Sequence, residues 1–281
     1  IHGWAQRYQR FLECSDTTVG EMTTTSEPWL IALDIDGTVL HEDGHLSDEV
    51  VIAVHKARDA GHEVTLATGR SVSMTIPILE RLNITPEFVV CSNGAITLKR
   101  DPSAPSAYRR FHVERFDSTE VLNRIKARLP QAHYAVEDET GLYRYTDWFP
   151  EGALDAMSEQ VTFEELLSTS AVRVVVISPG HEIDDFLKVV EDMGLHQVSY
   201  TVGWTAWLDI APEGVNKSTA LERVRTELDV PLDRVMVIGD GRNDIEMLQW
   251  AAKKGRAVAM GQAPEEVRIH ATDITEDFLG D

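Results

Sequence analysis

Cysteine is nearly absent from this sequence: Cys14 and Cys91 are the only two, and their spacing suits no metal site. A disulfide framework is thereby excluded as the basis of the fold, and a reducing, cytoplasmic setting is the default expectation. Long hydrophobic runs are missing too, and none approaches the roughly 20 residues that a membrane helix needs. Residues 1–26 lack the apolar stretch of a signal peptide. They end in Met22-Thr23-Thr24-Thr25-Ser26 and read as a disordered leader, with Met22 as a candidate start. Basic residues are scarce: 26 face 47 acidic ones, a net charge of −21. That balance opposes binding to nucleic acid and to anionic membranes, so neither is an expected partner. It also repels phosphorylated substrates at long range, so a phosphate site needs local cations, and a metal ion would supply them. Two glycine signatures are absent as well. No Gly-x-Gly-x-x-Gly follows the first apolar run, which excludes a dinucleotide-binding dehydrogenase. Gly214-Val215-Asn216-Lys217-Ser218 carries the lysine and serine of a P-loop, but Ala211 and Asn216 stand where that motif needs glycine.

What remains is an ordinary globular composition, 43% hydrophobic and 26% charged, over 281 residues. That length suits one large or two modest domains with a sizeable core. The chain is organised around Trp29-Leu30-Ile31-Ala32-Leu33-Asp34-Ile35-Asp36-Gly37-Thr38. A continuous apolar run closed by a turn signal predicts a buried parallel strand. Alternate residues of a strand share a face, which starts Asp34 and Asp36 on one side with Cα atoms about 7 Å apart. The carboxyl end of such a strand is where open α/β sheets bind ligands.

Strand and helix signals then alternate. Ser47 caps an expected helix carrying Val50, Val51, Val54 and Ala57, closed by Gly61. His62 to Ala67 is a second strand leading into Thr68-Gly69-Arg70, and a helix to about Leu82 precedes a third strand, Glu87 to Cys91. After Ser92-Asn93-Gly94-Ala95 the rhythm changes. Residues 97–207 read as an inserted α+β cap, with a loop at Asp101 to Ser106 and helices over Ser118 to Leu129 and Glu182 to Met193. Strands are expected at Val172 to Ile177 and around Val198 to Trp207. Alternation resumes with a helix from Val215 to Leu228 and a buried strand, Arg234 to Gly239, running into Asp240-Gly241-Arg242-Asn243-Asp244. A helix to Ala252, a strand Ala257 to Met260 and a helix after Pro264 complete it. The pattern predicts an α/β fold, a Rossmann-like parallel sheet core of residues 27–96 and 208–281 interrupted by the cap.

Four features fall at or beside the carboxyl ends of expected core strands: Asp34 with Asp36, Thr68-Gly69-Arg70, Lys217, and Asp240 with Asn243 and Asp244. Each alone has a plain structural reading, as a strand-capping turn, a helix cap, a solvated lysine or a βα turn. Together they match what a phosphate ester needs. Asp34 can attack phosphorus and carry the phosphoryl group as an acyl phosphate. Asp36 can protonate the leaving oxygen and then activate water. Mg²⁺ takes hard oxygen ligands, which Asp34, Asp240 and the backbone at Asp36 can provide, with Asp244 fixing its waters or Lys217. Thr68 and the amides after it form an anion site, and Lys217 offsets phosphate charge as a point cation. His41-Glu42-Asp43-Gly44-His45 holds two possible metal-binding histidines but reads first as a solvated flap.

These residues resemble the haloacid dehalogenase-like phosphatases, specifically their Cof-like group. The resemblance lies in Leu33-Asp34-Ile35-Asp36-Gly37-Thr38, Ala67-Thr68-Gly69-Arg70, Ser92-Asn93-Gly94-Ala95, Gly214-Val215-Asn216-Lys217, Gly239-Asp240-Gly241-Arg242-Asn243-Asp244 and Val258-Ala259-Met260-Gly261. It implies Asp34 as nucleophile, Asp36 as acid/base, and Mg²⁺ on Asp34, the Asp36 carbonyl and Asp240. It further implies phosphate contacts from the Ile35 amide, Thr68, Gly69, Lys217 and Asn243, with Arg70 beside them. Ser218 departs from the glycine frequent after the lysine in that group. The expected activity is hydrolysis of a small phosphorylated metabolite, sugar phosphates first; a phosphomutase or a non-catalytic phospholigand sensor is the alternative. Arg109, Arg110, Arg144 and Arg173, with Tyr143, Tyr145, Trp148, Trp204 and Trp207, are candidate specificity residues of the cap, weighed against packing and solvated faces.

Overall fold

A computed structural model describes residues 27–41, 43–150, 154, 157–195, 198–202 and 206–276. The expected leader, Glu42 of the flap and Trp204 lie outside the described residues. The described residues divide into two compact units, one built from those up to Thr68, Glu80–Glu87 and those from Leu221 on, the other from those within Gly69–Leu79 and Phe88–Ala220.

The first unit holds a five-stranded sheet in the spatial order Asp273–Ile274, Arg256–Ala259, Val235–Gly239, Leu30–Leu33, Glu63–Leu66. Every pairing in it is parallel. Leu30, Ala32, Leu33, Leu66, Val235, Val237 and Ala257 are all buried, so these runs are apolar on both faces, as a covered parallel sheet requires. Full burial of each large side chain contributes about 1.5–3 kcal/mol. The helix Asp48–Asp59 begins where Ser47 Oγ accepts the Val50 N–H at 3.3 Å, and it turns Val50, Ala53, Val54 and Ala57 inward. Gly61, at φ +89°, takes the left-handed conformation that ends it.

From Leu30–Leu33 the chain proceeds to the neighbour on one side, Glu63–Leu66, and later returns to fill the other side with Val235–Gly239. This is a topological switch point, where the carboxyl ends of adjacent strands part and leave a crevice. Asp34 follows one of those strands and Asp240 the other.

The second unit is built on a six-stranded sheet, ordered Val198–Val202, Trp207–Pro212, Arg173–Ile177, His133–Glu137, Tyr143–Tyr145, Ser158–Gln160. It is antiparallel except for its last pair. Leu122 and Ile125 of the helix Thr119–Arg128, Leu166 of Phe163–Leu167, and Phe186 and Val190 of Ile183–Met193 share a core with Tyr134, Val136, Val174 and Leu208 of the sheet. The fold class is therefore α/β, with a parallel core sheet and an inserted mixed sheet.

One element departs from expectation. The third strand, Phe88–Cys91, is not part of the five-stranded parallel sheet; it pairs antiparallel with Ile96–Arg100, which pairs in turn with Tyr108–Val113. The reversal is made at Ser92-Asn93-Gly94, whose φ angles of +49°, +51° and +99° are all left-handed. The expected loop at Asp101 to Ser106 connects the second and third of these strands.

Candidate active site

The strand Leu30–Leu33 is tied on both sides just where it ends. Asp34 donates its N–H to the Ile238 carbonyl at 2.9 Å, and Ala67 donates to the Leu33 carbonyl at 2.8 Å. Beyond Asp34 the backbone coils tightly: the buried Ile35 offers its carbonyl to the amides of Thr38, Val39 and Leu40. Gly37 makes this turn at φ +74°, and a Cβ there would stand 2.2 Å from Asp240 Oδ2. Glycine is required twice over, by backbone angle and by the approach of that carboxylate. Gln262 Nε2 holds the Gly37 carbonyl at 2.7 Å, and Thr38 Oγ1 donates to Asp240 Oδ1 at 3.1 Å.

On the neighbouring strand, Asp244 folds back over the turn after Gly239. Its Oδ2 accepts the N–H groups of Asp240 at 3.0 Å and Gly241 at 2.9 Å. A Cβ on Gly239 would meet the Asp244 carboxyl carbon at 2.4 Å, and one on Gly241 would meet Asn243 Oδ1 at 2.5 Å. The bare backbone lets both side chains close on the strand end. As a result, carboxylate oxygens of Asp34, Asp240 and Asp244 lie within 4.8 Å of one another, Asp34 and Asp244 buried and Asp240 half-buried. Three like charges this close, two of them buried, repel, and a divalent cation with oxygen preference relieves that repulsion. The donor set is all hard oxygen, which fits Mg²⁺ and does not favour a soft metal.

Asp34, Ile35, Asp36, Thr68, Asp240, Asn243 and Asp244 all belong to the first unit. Asp36 is exposed, and only its neighbours, not its carboxylate, belong to the acidic triad. Thr68 is fully buried, and the helix after it starts only at Val72; Ser71 rather than Thr68 is placed to cap it, accepting the Met74 N–H at 3.4 Å. The two histidines of the flap sit with ring centroids 5.6 Å apart across a tight turn in which His41 N–H meets the His45 carbonyl. Among the described residues, they do not belong to a metal-ligand cluster.

Gly69, Arg70 and Lys217 belong to the second unit. Lys217 opens the helix Lys217–Glu227 with no exposed surface, so the solvated-lysine reading of this residue does not hold. Asn216 caps that helix: its Oδ1 accepts from Ser218 Oγ at 2.6 Å and from the Thr219 N–H at 3.1 Å. A residue that sequence reasoning left without a role is Gly94. A Cβ on it would lie 2.2 Å from the Asn216 carbonyl oxygen, so the Ser92–Gly94 turn is pressed against the backbone that carries Lys217.

The cap candidates are mostly committed to packing. Arg173 donates to Asp209 at 2.6 Å and to the Tyr143 hydroxyl at 3.0 Å, and Trp207 donates to the same Asp209 at 3.0 Å. Burial holds the Tyr143 phenol protonated, well above its ordinary range, so it remains a donor to Glu137 at 2.8 Å. Arg144 bridges Asp138 and Glu159, each at 2.9 Å, and Arg110 holds the Thr140 carbonyl. Tyr145 and Trp207 pack edge-on against Phe149. Trp148, 65% exposed, and the exposed Arg109 are the exceptions.

A family model described as haloacid dehalogenase-like hydrolase matches residues 31–278. The chain belongs to that family. Within it the chain is a phosphatase of the Cof-like group. The 5-amino-6-(5-phospho-D-ribitylamino)uracil phosphatase YitU of Bacillus subtilis is 24% identical over 259 residues, spanning 89% of this chain and 93% of that protein. The HMP-PP phosphatase of Yersinia enterocolitica is 27% identical over 250 residues, spanning 85% and 86%. Among solved structures, the subclass IIB sugar phosphatase BT4131 superposes with a TM-score of 0.72 at 20% identity, over 88% of this chain and 93% of that one, which speaks to fold.

Proposed function

We propose that this chain is a Mg²⁺-dependent phosphomonoesterase that works through an aspartyl-phosphate, with a sugar phosphate as its first-choice substrate. The observation that carries the reading is the convergence of the Asp34, Asp240 and Asp244 carboxylates at the switch point of the parallel sheet. In this reading Asp34 attacks phosphorus as its Oδ–P bond forms and the ester P–O bond breaks. Asp36 gives its proton to the leaving alkoxide. Asp36 then takes a proton from water, whose oxygen attacks phosphorus and releases phosphate, restoring the Asp34 carboxylate. Asp34, the Asp36 carbonyl and Asp240 would hold Mg²⁺, with Asp244 beside them; when bound, the ion supplies positive charge against the phosphoryl oxygens. The Ile35 amide, Thr68, Gly69, Arg70, Lys217 and Asn243 are the proposed phosphate contacts, and they stabilise charge that builds in the transition state.

Residues 97–207 are proposed as a cap domain, and residues 27–96 and 208–281 as the hydrolase core. A reducing, cytoplasmic site of action is part of the same proposal. The relatives named for phosphorylated metabolites support the substrate class, and the test is a panel. Phosphate release is measured with Mg²⁺ from sugar phosphates, nucleotides, phosphoglycolate and pyridoxal phosphate. A sugar phosphate turned over at least tenfold faster than the nucleotides is the expected result. A nucleotide or pyridoxal phosphate at the head of the ranking would overturn the sugar assignment.

A further inference from the structure

The second unit contains a buried acid that the mechanism above does not use. Glu137, at the end of the strand His133–Glu137, has no exposed surface. Its Oε2 accepts from the Tyr143 hydroxyl at 2.8 Å and from Ser92 Oγ at 3.1 Å. Behind Tyr143 stands Arg173, itself fixed by Asp209. The carboxylate is therefore anchored through three further strands of the six-stranded sheet, and it holds a serine 45 residues away in sequence. A buried carboxylate is costly unless it is hydrogen-bonded, and both of these contacts fall on Oε2.

Ser92 begins the turn with three successive left-handed residues, two of them not glycine. Such a conformation persists only where the surroundings over-determine it. Here the fixing contacts are specific. The Ser92 N–H donates to the Arg70 carbonyl at 2.8 Å, its hydroxyl is held by Glu137, and Gly94 lies against the Asn216 carbonyl. One turn thus touches the backbone of two segments that carry proposed phosphate contacts, Gly69-Arg70 and Asn216-Lys217.

We propose that Glu137 is a positioning residue: by holding Ser92 it locks the left-handed turn Ser92–Gly94 against the backbones of Arg70 and Asn216, and so fixes where Lys217 stands. The catalytic value of this brace rests on the role proposed above for Lys217, whereas the brace itself does not.

Two measurements separate these. Hydrogen exchange reads the brace: in Ser92→Ala, which removes one hydroxyl, the amides of Asn216 to Ala220 exchange at least threefold faster than in the wild type. Unchanged exchange there would overturn the proposal. Steady-state kinetics on p-nitrophenyl phosphate with Mg²⁺ read its consequence. Ser92→Ala and Glu137→Ala each lower kcat/KM about tenfold, while Glu137→Gln, which keeps an acceptor for Ser92, stays within threefold. In a Lys217→Arg background the Ser92→Ala loss shrinks to less than twofold, because both act on one group. Losses that multiply in the double variant would show a general structural role and overturn the proposal. If Lys217→Arg alone keeps wild-type activity, the function assigned to Lys217 fails, and the exchange measurement still decides the brace.

Discussion

At the scale of the residue, the site is made by what three glycines leave out. Gly37, Gly239 and Gly241 each have a carboxylate or amide oxygen where a Cβ would be, or a carboxyl carbon in the case of Gly239. Gly37→Ala is the sharpest test, because its φ of +74° adds backbone strain to the collision with Asp240. The expected outcome is a loss of about 1–3 kcal/mol in urea unfolding and at least a hundredfold drop in phosphate release. Wild-type stability in that variant would contradict the packing described. The carboxylates themselves were legible in the sequence, since Asp34 and Asp240 sit at the ends of unbroken apolar runs and Asp244 follows four residues after Asp240. The parts that fasten them were not. Gln262 reaches Gly37 across 225 residues, and Glu137 reaches Ser92 across 45. No local pattern encodes such a contact.

Elements were readable where a single physical signal dominated. Parallel strands announce themselves as β-branched runs buried on both faces, and Ser47 with Gly61 marks both ends of Asp48–Asp59. The inserted sheet was harder. Its strands His133–Glu137, Tyr143–Tyr145 and Ser158–Gln160 are short, and polar or aromatic residues interrupt them. The strand Phe88–Cys91 was misjudged for a different reason: its composition suits a parallel neighbour, while its pairing is set by the left-handed turn that follows. Within the inserted sheet, Arg173 joins strands through Asp209 and Tyr143, and all three are largely buried. Removing only the cation leaves Asp209 without this charge partner in a low-dielectric setting. Arg173→Ala should therefore cost about 3 kcal/mol of stability, read as a lower urea midpoint. A change under about 1 kcal/mol would mean that the pair contributes little.

At the scale of the molecule, the acid side of the stability profile is set by groups whose charge state differs on folding. His62 is buried, and burial lowers its pKa below the ordinary 6.5. Its Nδ1 accepts the Trp29 N–H at 3.2 Å, which only the neutral ring can do. The unfolded chain then binds this proton more readily, so stability is full above about pH 6.5 and falls as pH drops towards the folded value. Asp138 continues the trend at lower pH. Burial raises its pKa, but hydrogen bonds from Thr140, Arg144 and Leu142 outweigh that and hold it below the usual carboxylate value. Thermal melts from pH 7.5 to 5 should show a declining melting temperature, with a shallower slope between pH 6.5 and 5 in His62→Asn. Equal slopes in the two proteins would remove His62 from the account. With a net charge of −21, the whole molecule would also repel the anionic substrate proposed above, which leaves attraction to the proposed cationic contacts. Activity should for that reason be less hindered as ionic strength rises from low to moderate salt.

The central claim is that Asp34 carries the phosphoryl group in a Mg²⁺-supported site. The measurement that tests it most directly is phosphate release from p-nitrophenyl phosphate by the wild type and by Asp34→Asn, each with Mg²⁺ and with EDTA. The account predicts release only by the wild type with Mg²⁺, and a fall of at least three orders of magnitude in the other three arms, with Asp34→Asn folded as judged by its melting curve. Substantial turnover by Asp34→Asn, or equal wild-type activity in EDTA, would contradict it.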